Sequence, residues 1–117
     1  MFLIVQIALF AFAALTHSGV LMSGHRHRQA RIAETVIGAV LTAGLVAIVI
    51  RPASTRAIAI TVQAFALLGT SVGIFTIIVG IGPRTLLDAI FHACMAIALI
   101  AGLVVSVKVS RSAIGQR

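Results

Sequence analysis

The chain is built from four long apolar stretches, and the short breaks between them hold most of its charge. A helix needs roughly 20 mostly apolar residues to cross about 30 Å of hydrocarbon. Segments 2–23, 32–50, 57–81 and 85–107 meet that requirement. Between them stand Gly24-His25-Arg26-His27-Arg28-Gln29-Ala30-Arg31, Arg51-Pro52-Ala53-Ser54-Thr55-Arg56 and Gly82-Pro83-Arg84, and a basic polar tail, 108–117, follows the last. Proline lacks an N–H and the residue before it avoids the helical region, so Pro52 and Pro83 mark helix ends. The apolar runs are continuous rather than alternating, which excludes the strands of a membrane barrel. The sequence predicts an all-α integral membrane four-helix bundle, running up-down-up-down as a single transmembrane domain.

Composition removes the alternatives. At 117 residues, 61% hydrophobic and 9% charged, the chain has too little interior to hide its apolar side chains from water. Disorder needs low hydrophobicity, and a disulfide scaffold needs more than the single Cys94. In an apolar span that thiol reads as a small packing residue. The net charge of +7 is no sign of nucleic-acid binding, because the chain has no Trp, no Tyr and hardly any soluble face.

The charges instead mark the membrane boundaries. In an up-down bundle both termini share one face, here called the terminal face; the turns at 24–31 and 82–85 lie on the turn face. Arg51, Arg56, Lys108, Arg111 and Arg117 fall on the terminal face, and Arg26, Arg28, Arg31 and Arg84 on the turn face. This small bias predicts a cell inner membrane protein with both termini cytoplasmic. The near balance leaves dual insertion and an antiparallel homodimer open. The basic turns are expected to lie on anionic lipid headgroups.

Helices in lipid associate through small residues that let backbones approach. Gly69-Thr70-Ser71-Val72-Gly73 is such a motif, and Gly80 lies seven residues further on the same face. These three glycines are expected to pack the four helices together, or to form a homo-oligomer or a docking face for other membrane subunits.

The acids and histidines are all on one side. The chain has two acids and four histidines, and every one falls in the half nearer the turn face. His17 lies seven residues before Gly24 and His92 seven after Thr85, each roughly 10 Å inside that boundary at 1.5 Å per residue. Asp88 and His92 are i,i+4 and share a helix face with Met95, while Gln6, Phe10, Ala13 and His17 share a face of the first span. Ionisable groups in a membrane normally point into the bundle, which would bring His17, Asp88 and His92 together with Glu34 nearby.

Three chemistries use such a cluster. A transition metal could take His17, Glu34, Asp88 and His92 as ligands. A b-type haem could take His17 and His92 as axial ligands. A proton or small-cation relay would exploit imidazole and carboxylate groups that change charge near neutral pH. The structural alternative is that Glu34 and Asp88 sit at helix starts, paired locally with Arg31 and Arg84, and that His92 hydrogen-bonds Asp88. His25 and His27 alternate with arginines and are expected at solvent or headgroups. The two hairpins also resemble each other, Arg31-Ile-Ala-Glu34 matching Arg84-Thr-Leu-Leu-Asp88 as a parallel repeat.

No nucleophile stands beside a base and no phosphate loop is present, so the chain does not read as an enzyme. The functional expectation is a small membrane protein with a His/carboxylate binding site near the turn face, oligomeric or accessory to a larger complex. The alternatives are a small dual-topology cation or proton-coupled transporter, and a purely structural membrane subunit.

Overall fold

The computed structural model describes residues 2–114, with side chains as far as Val109. Among these residues the helices are α1 (Phe2–His17), α2 (Arg28–Ile50), α3 (Thr55–Val79) and α4 (Leu86–Ile114), and a 3-10 turn, Pro52–Ser54, joins α2 to α3. Each helix packs on its chain neighbours, and α1 closes the bundle against α4. This is the expected all-α up-down-up-down bundle. Helices α2, α3 and α4 are long and apolar enough to cross a membrane.

The helix ends differ from the hydropathy boundaries, each for a local reason. Helix α1 stops at His17 rather than near 23, after 16 residues. Gly19 takes φ +80° and its N–H turns back to the Thr16 carbonyl, a left-handed stop that suits glycine. Val20, Leu21 and Met22 then continue as an exposed apolar loop, so hydropathy alone could not mark the end. Helix α2 begins at Arg28, four residues before Ile32, because the His27 ring caps it: Nδ1 accepts from the Ala30 N–H at 3.3 Å.

Helix α4 begins with a capping box. The Thr85 hydroxyl accepts from the Asp88 N–H, and the Asp88 carboxylate accepts from both the N–H and the hydroxyl of Thr85. The helix runs on through much of the expected tail, to Ile114. The tail's side chains from Ser110 onward, and residues 115–117, lie outside the described residues.

The interior mixes apolar and polar side chains, and the outside is apolar. Among the described residues, eight buried ones are hydrophobic, including Phe10, Leu41, Ala66, Met95 and Leu99, and eight are polar or charged. Large side chains such as Val49, Leu68, Phe75, Ile78 and Ile97 project outward. An apolar patch of that extent does not stay in water; it fits a lipid-facing surface. The protein is a small membrane protein. Cys94 lies on this exposed surface rather than in the packing.

Two of the three expected packing glycines close the bundle from α3. A Cβ on Gly69 would come within 2.7 Å of Ile37 Cδ1 on α2, and one on Gly73 within 2.7 Å of His92 Nε2 on α4. Gly80 does not belong to that face. It caps α3 with φ +85° and carries the folded-back Arg84 side chain. The heptad spacing holds in sequence, but the helix ends one residue too early for it to matter.

The hairpin resemblance also shifts. Glu34 is the seventh residue of α2, and its counterpart by position in α4 is His92 rather than Asp88. Buried Glu34, Ile37, Leu41 and Gly44 follow the same spacing as His92, Met95, Leu99 and Gly102.

Candidate functional site

Two polar clusters interrupt the apolar core, one toward each face. Toward the terminal face, Gln6 Nε2 donates to Gln63 Oε1 at 2.8 Å and to the Ala98 carbonyl at 3.0 Å. The first bond crosses the bundle from α1 to α3. Gln63 Nε2 donates to the Ala59 carbonyl and to Ser106 Oγ. Gly102 makes room for both amides, since a Cβ there would overlap Gln63 Oε1.

The second cluster is centred on His17, the last residue of α1. Its Nδ1 is 2.8 Å from both Glu34 carboxylate oxygens, and its Nε2 is 2.8 Å from Asp88 Oδ1. Imidazole and carboxylates are almost fully buried, at 1%, 5% and 2% side-chain exposure. Three helices therefore deliver one residue each to a single hydrogen-bonded triad. A buried charge without a partner is strongly unfavourable, particularly at membrane depth, and here each ionisable group has one.

Asp88 is held from both sides: Oδ1 faces His17 while Oδ2 accepts from Thr85. His92 joins through the backbone, with Nδ1 donating to the Asp88 carbonyl at 2.8 Å. That bond requires the proton on Nδ1, so in the neutral ring Nε2 presents its lone pair. His27 packs edge-on against His17, ring centroids 6.5 Å apart, and its backbone N–H donates to the His17 backbone carbonyl.

Two cavities flank the triad, with His27 and Pro83 in the walls of both. A vestibule of about 200 Å³ on the turn face is bounded by His17, Asp88, Thr85, Arg26 and Arg84. A cavity of about 180 Å³ opens between α2 and α3, with Glu34, His92, Met95, Gly69 and Gly73 in its walls. The triad stands between them: Asp88 reaches the vestibule and Glu34 the cavity.

The structure brings His17, Glu34 and Asp88 into direct contact and sets His92 one turn from Asp88. The local pairs of Glu34 with Arg31 and Asp88 with Arg84 do not form; among the described residues both ion pairs are to His17. Arg84 instead folds over Gly80, and Arg26 over Gly19. His17 sits at a helix end rather than 10 Å inside one, because Gly19 stops α1 early. His27 is a helix cap rather than a free headgroup contact.

Among the described residues no group of three or more His, Cys, Asp or Glu side chains is arranged to hold a metal ion. Two atoms each about 2.0–2.2 Å from a tetrahedral zinc stand more than about 3 Å apart, whereas the His17 contacts are direct hydrogen bonds. Both ring nitrogens of His17 are engaged in hydrogen bonds.

Thr85 and Gln63 complete the two clusters beyond the residues expected from the sequence. The first had a signal, the Thr85-x-x-Asp88 spacing of a capping box. Gln63 is the amide that stands within the third apolar run, a polar group costly enough in lipid to demand a partner. No family model matches the chain, and no curated protein or solved structure is significantly similar to it.

Proposed function

We propose that this small membrane protein handles protons, with His17 as a relay between Asp88 and Glu34. The observation that carries this reading is the pair of 2.8 Å contacts from the two ring nitrogens of His17 to carboxylates on different helices. Each contact needs a proton between nitrogen and oxygen. Either the ring holds both, as imidazolium, or it holds one and a carboxyl holds the other. The two forms have the same proton count and differ only in where one proton sits. A proton received at Nε2 from Asp88 therefore releases another at Nδ1 to Glu34, without the ring turning over.

The relay connects the vestibule on the turn face with the cavity between α2 and α3. That arrangement suits a proton-coupled carrier, in which occupancy of the cavity and protonation of the triad depend on each other.

Nitrogen-15 NMR of histidine-labelled protein in lipid nanodiscs tests the relay. His17 is expected to show both ring nitrogens hydrogen-bonded, with Asp88→Asn perturbing Nε2 and Glu34→Gln perturbing Nδ1. A His17 ring that responds to neither substitution would overturn it.

A further inference from the structure

The walls of the cavity between α2 and α3 have an uneven supply of hydrogen-bonding groups. Glu34 offers a carboxylate, and His92 Nε2 offers a lone pair because its Nδ1 proton is committed to the Asp88 carbonyl. The hydroxyl protons of Thr70 and Thr76 are spent on the Ala66 and Gly73 carbonyls, so these side chains too present acceptors. No Lys or Arg lines this cavity among the described residues, whereas Arg26 and Arg84 line the vestibule. Gln29 and His27 also line the cavity, and much of the remaining wall is apolar, from Phe10, Ile37, Val72 and Met95. The volume of about 180 Å³ slightly exceeds the roughly 150 Å³ that holds a benzene molecule in an apolar cavity.

We infer that this cavity binds a small primary ammonium ion carrying a compact apolar group, its N–H donors directed to Glu34 and His92. With no Lys or Arg in the wall among the described residues, the Glu34 carboxylate selects a cation, the acceptors of Glu34 and His92 suit its N–H donors, and the apolar wall takes a group about the size of one ring. The groups facing Glu34 are His17 from α1, His92 from α4, and His27 in the turn; α3 contributes glycines, threonines and Val72, and Asp88 acts through His17.

The linked proton step rests on the relay proposed above. When an ammonium ion takes the Glu34 carboxylate, the proton shared by Glu34 and His17 settles on Nδ1. The proton at Nε2 passes to Asp88 and on to the vestibule and solvent, leaving a neutral His17 ring. The ammonium keeps its own protons, and the site's net charge is unchanged. One proton leaves for each cation bound.

Isothermal titration of the full chain in lipid nanodiscs with benzylamine, run at neutral pH in two buffers of different ionisation enthalpy, tests both parts. Empty nanodiscs supply the blank for partitioning into lipid. Saturable benzylamine binding is expected, at least tenfold tighter than benzyl alcohol, with about one proton released. Glu34→Gln should reduce benzylamine affinity at least tenfold. Val72→Trp, at a site 57% exposed beside the cavity, should block binding without touching the triad, which keeps the test decisive if the Glu34 variant fails to fold. Equal affinity for benzylamine and benzyl alcohol, or benzylamine binding that survives Val72→Trp, would overturn the cation site. Selective benzylamine binding with no proton release would support that site and overturn the relay.

Discussion

His17 Nε2 lies 2.8 Å from Asp88 Oδ1, although 71 positions separate the two residues. The contact joins the end of the first helix to the first turn of the last. It also closes the bundle, because the other nitrogen of the same ring holds Glu34 on α2. One imidazole thus ties three helices together where all the acids of the chain converge.

Removing that imidazole should leave two carboxylates facing each other in a buried site. His17→Ala is expected to cost about 3–5 kcal/mol, the usual loss when one partner of a buried ion pair is deleted. Adding Glu34→Gln and Asp88→Asn to His17→Ala removes the uncompensated charge, so the triple variant should be more stable than the single one. Denaturant unfolding in detergent micelles reads the order; a triple variant weaker than His17→Ala would contradict it.

Thr85 serves both the helix and the site. Its hydroxyl and N–H hold Asp88 Oδ2 while the hydroxyl receives the Asp88 N–H. Thr85→Val keeps the shape and removes the hydroxyl, at an expected cost of about 1 kcal/mol, typical of a lost cap. Because Asp88 is then held by fewer donors, the His17 Nε2 resonance should shift as well. Thr55, whose hydroxyl bonds Pro52 at the opposite end of the bundle, supplies the control: Thr55→Val should leave that resonance in place.

Gly102 and Gly38 separate glycine needed for space from glycine that is merely tolerated. A Cβ on Gly102 would overlap Gln63 Oε1 and crowd Gln6 Nε2, while one on Gly38 would meet only Phe10 Cβ, at 3.6 Å. Gly102→Ala should therefore destabilise by about 1–3 kcal/mol, as overpacking does. Gly38→Ala should be neutral or stabilise by up to about 1 kcal/mol through helix propensity. Thermal unfolding of the two variants side by side checks the contrast.

Orientation should respond to few charges. Arg51 and Arg56 are exposed at the α2–α3 connection, and replacing both by Gln would reverse a bias of five Lys or Arg on the terminal face against four on the turn face. The variant should place a larger share of its termini outside the cytoplasm. Compartment-specific reporters fused to the C-terminus measure that share, and an unchanged distribution would show that these charges do not set the topology.

The opening pattern of four apolar stretches determined the helical class, the number of helices and their order, because a continuous apolar run in lipid can satisfy its backbone only as a helix. It also confined the acids and histidines to one half of the bundle. Helix ends were less legible. Hydropathy does not change at Gly19, and the cap of α2 is a histidine, so α1 ran too long and α2 too short.

Pairings were decided only by the tertiary structure. Local spacing offered Arg31 to Glu34 and Arg84 to Asp88, and both acids turn instead to His17. Exposed arginines at the membrane boundary can be solvated, whereas carboxylates inside the bundle need a partner there. The same reasoning joins Gln6 to Gln63 across the bundle. The sequence by itself determined which polar residues had to avoid lipid; the packing of α1 against α2 and α4 decided which of them met, because only a buried partner relieves a buried polar group.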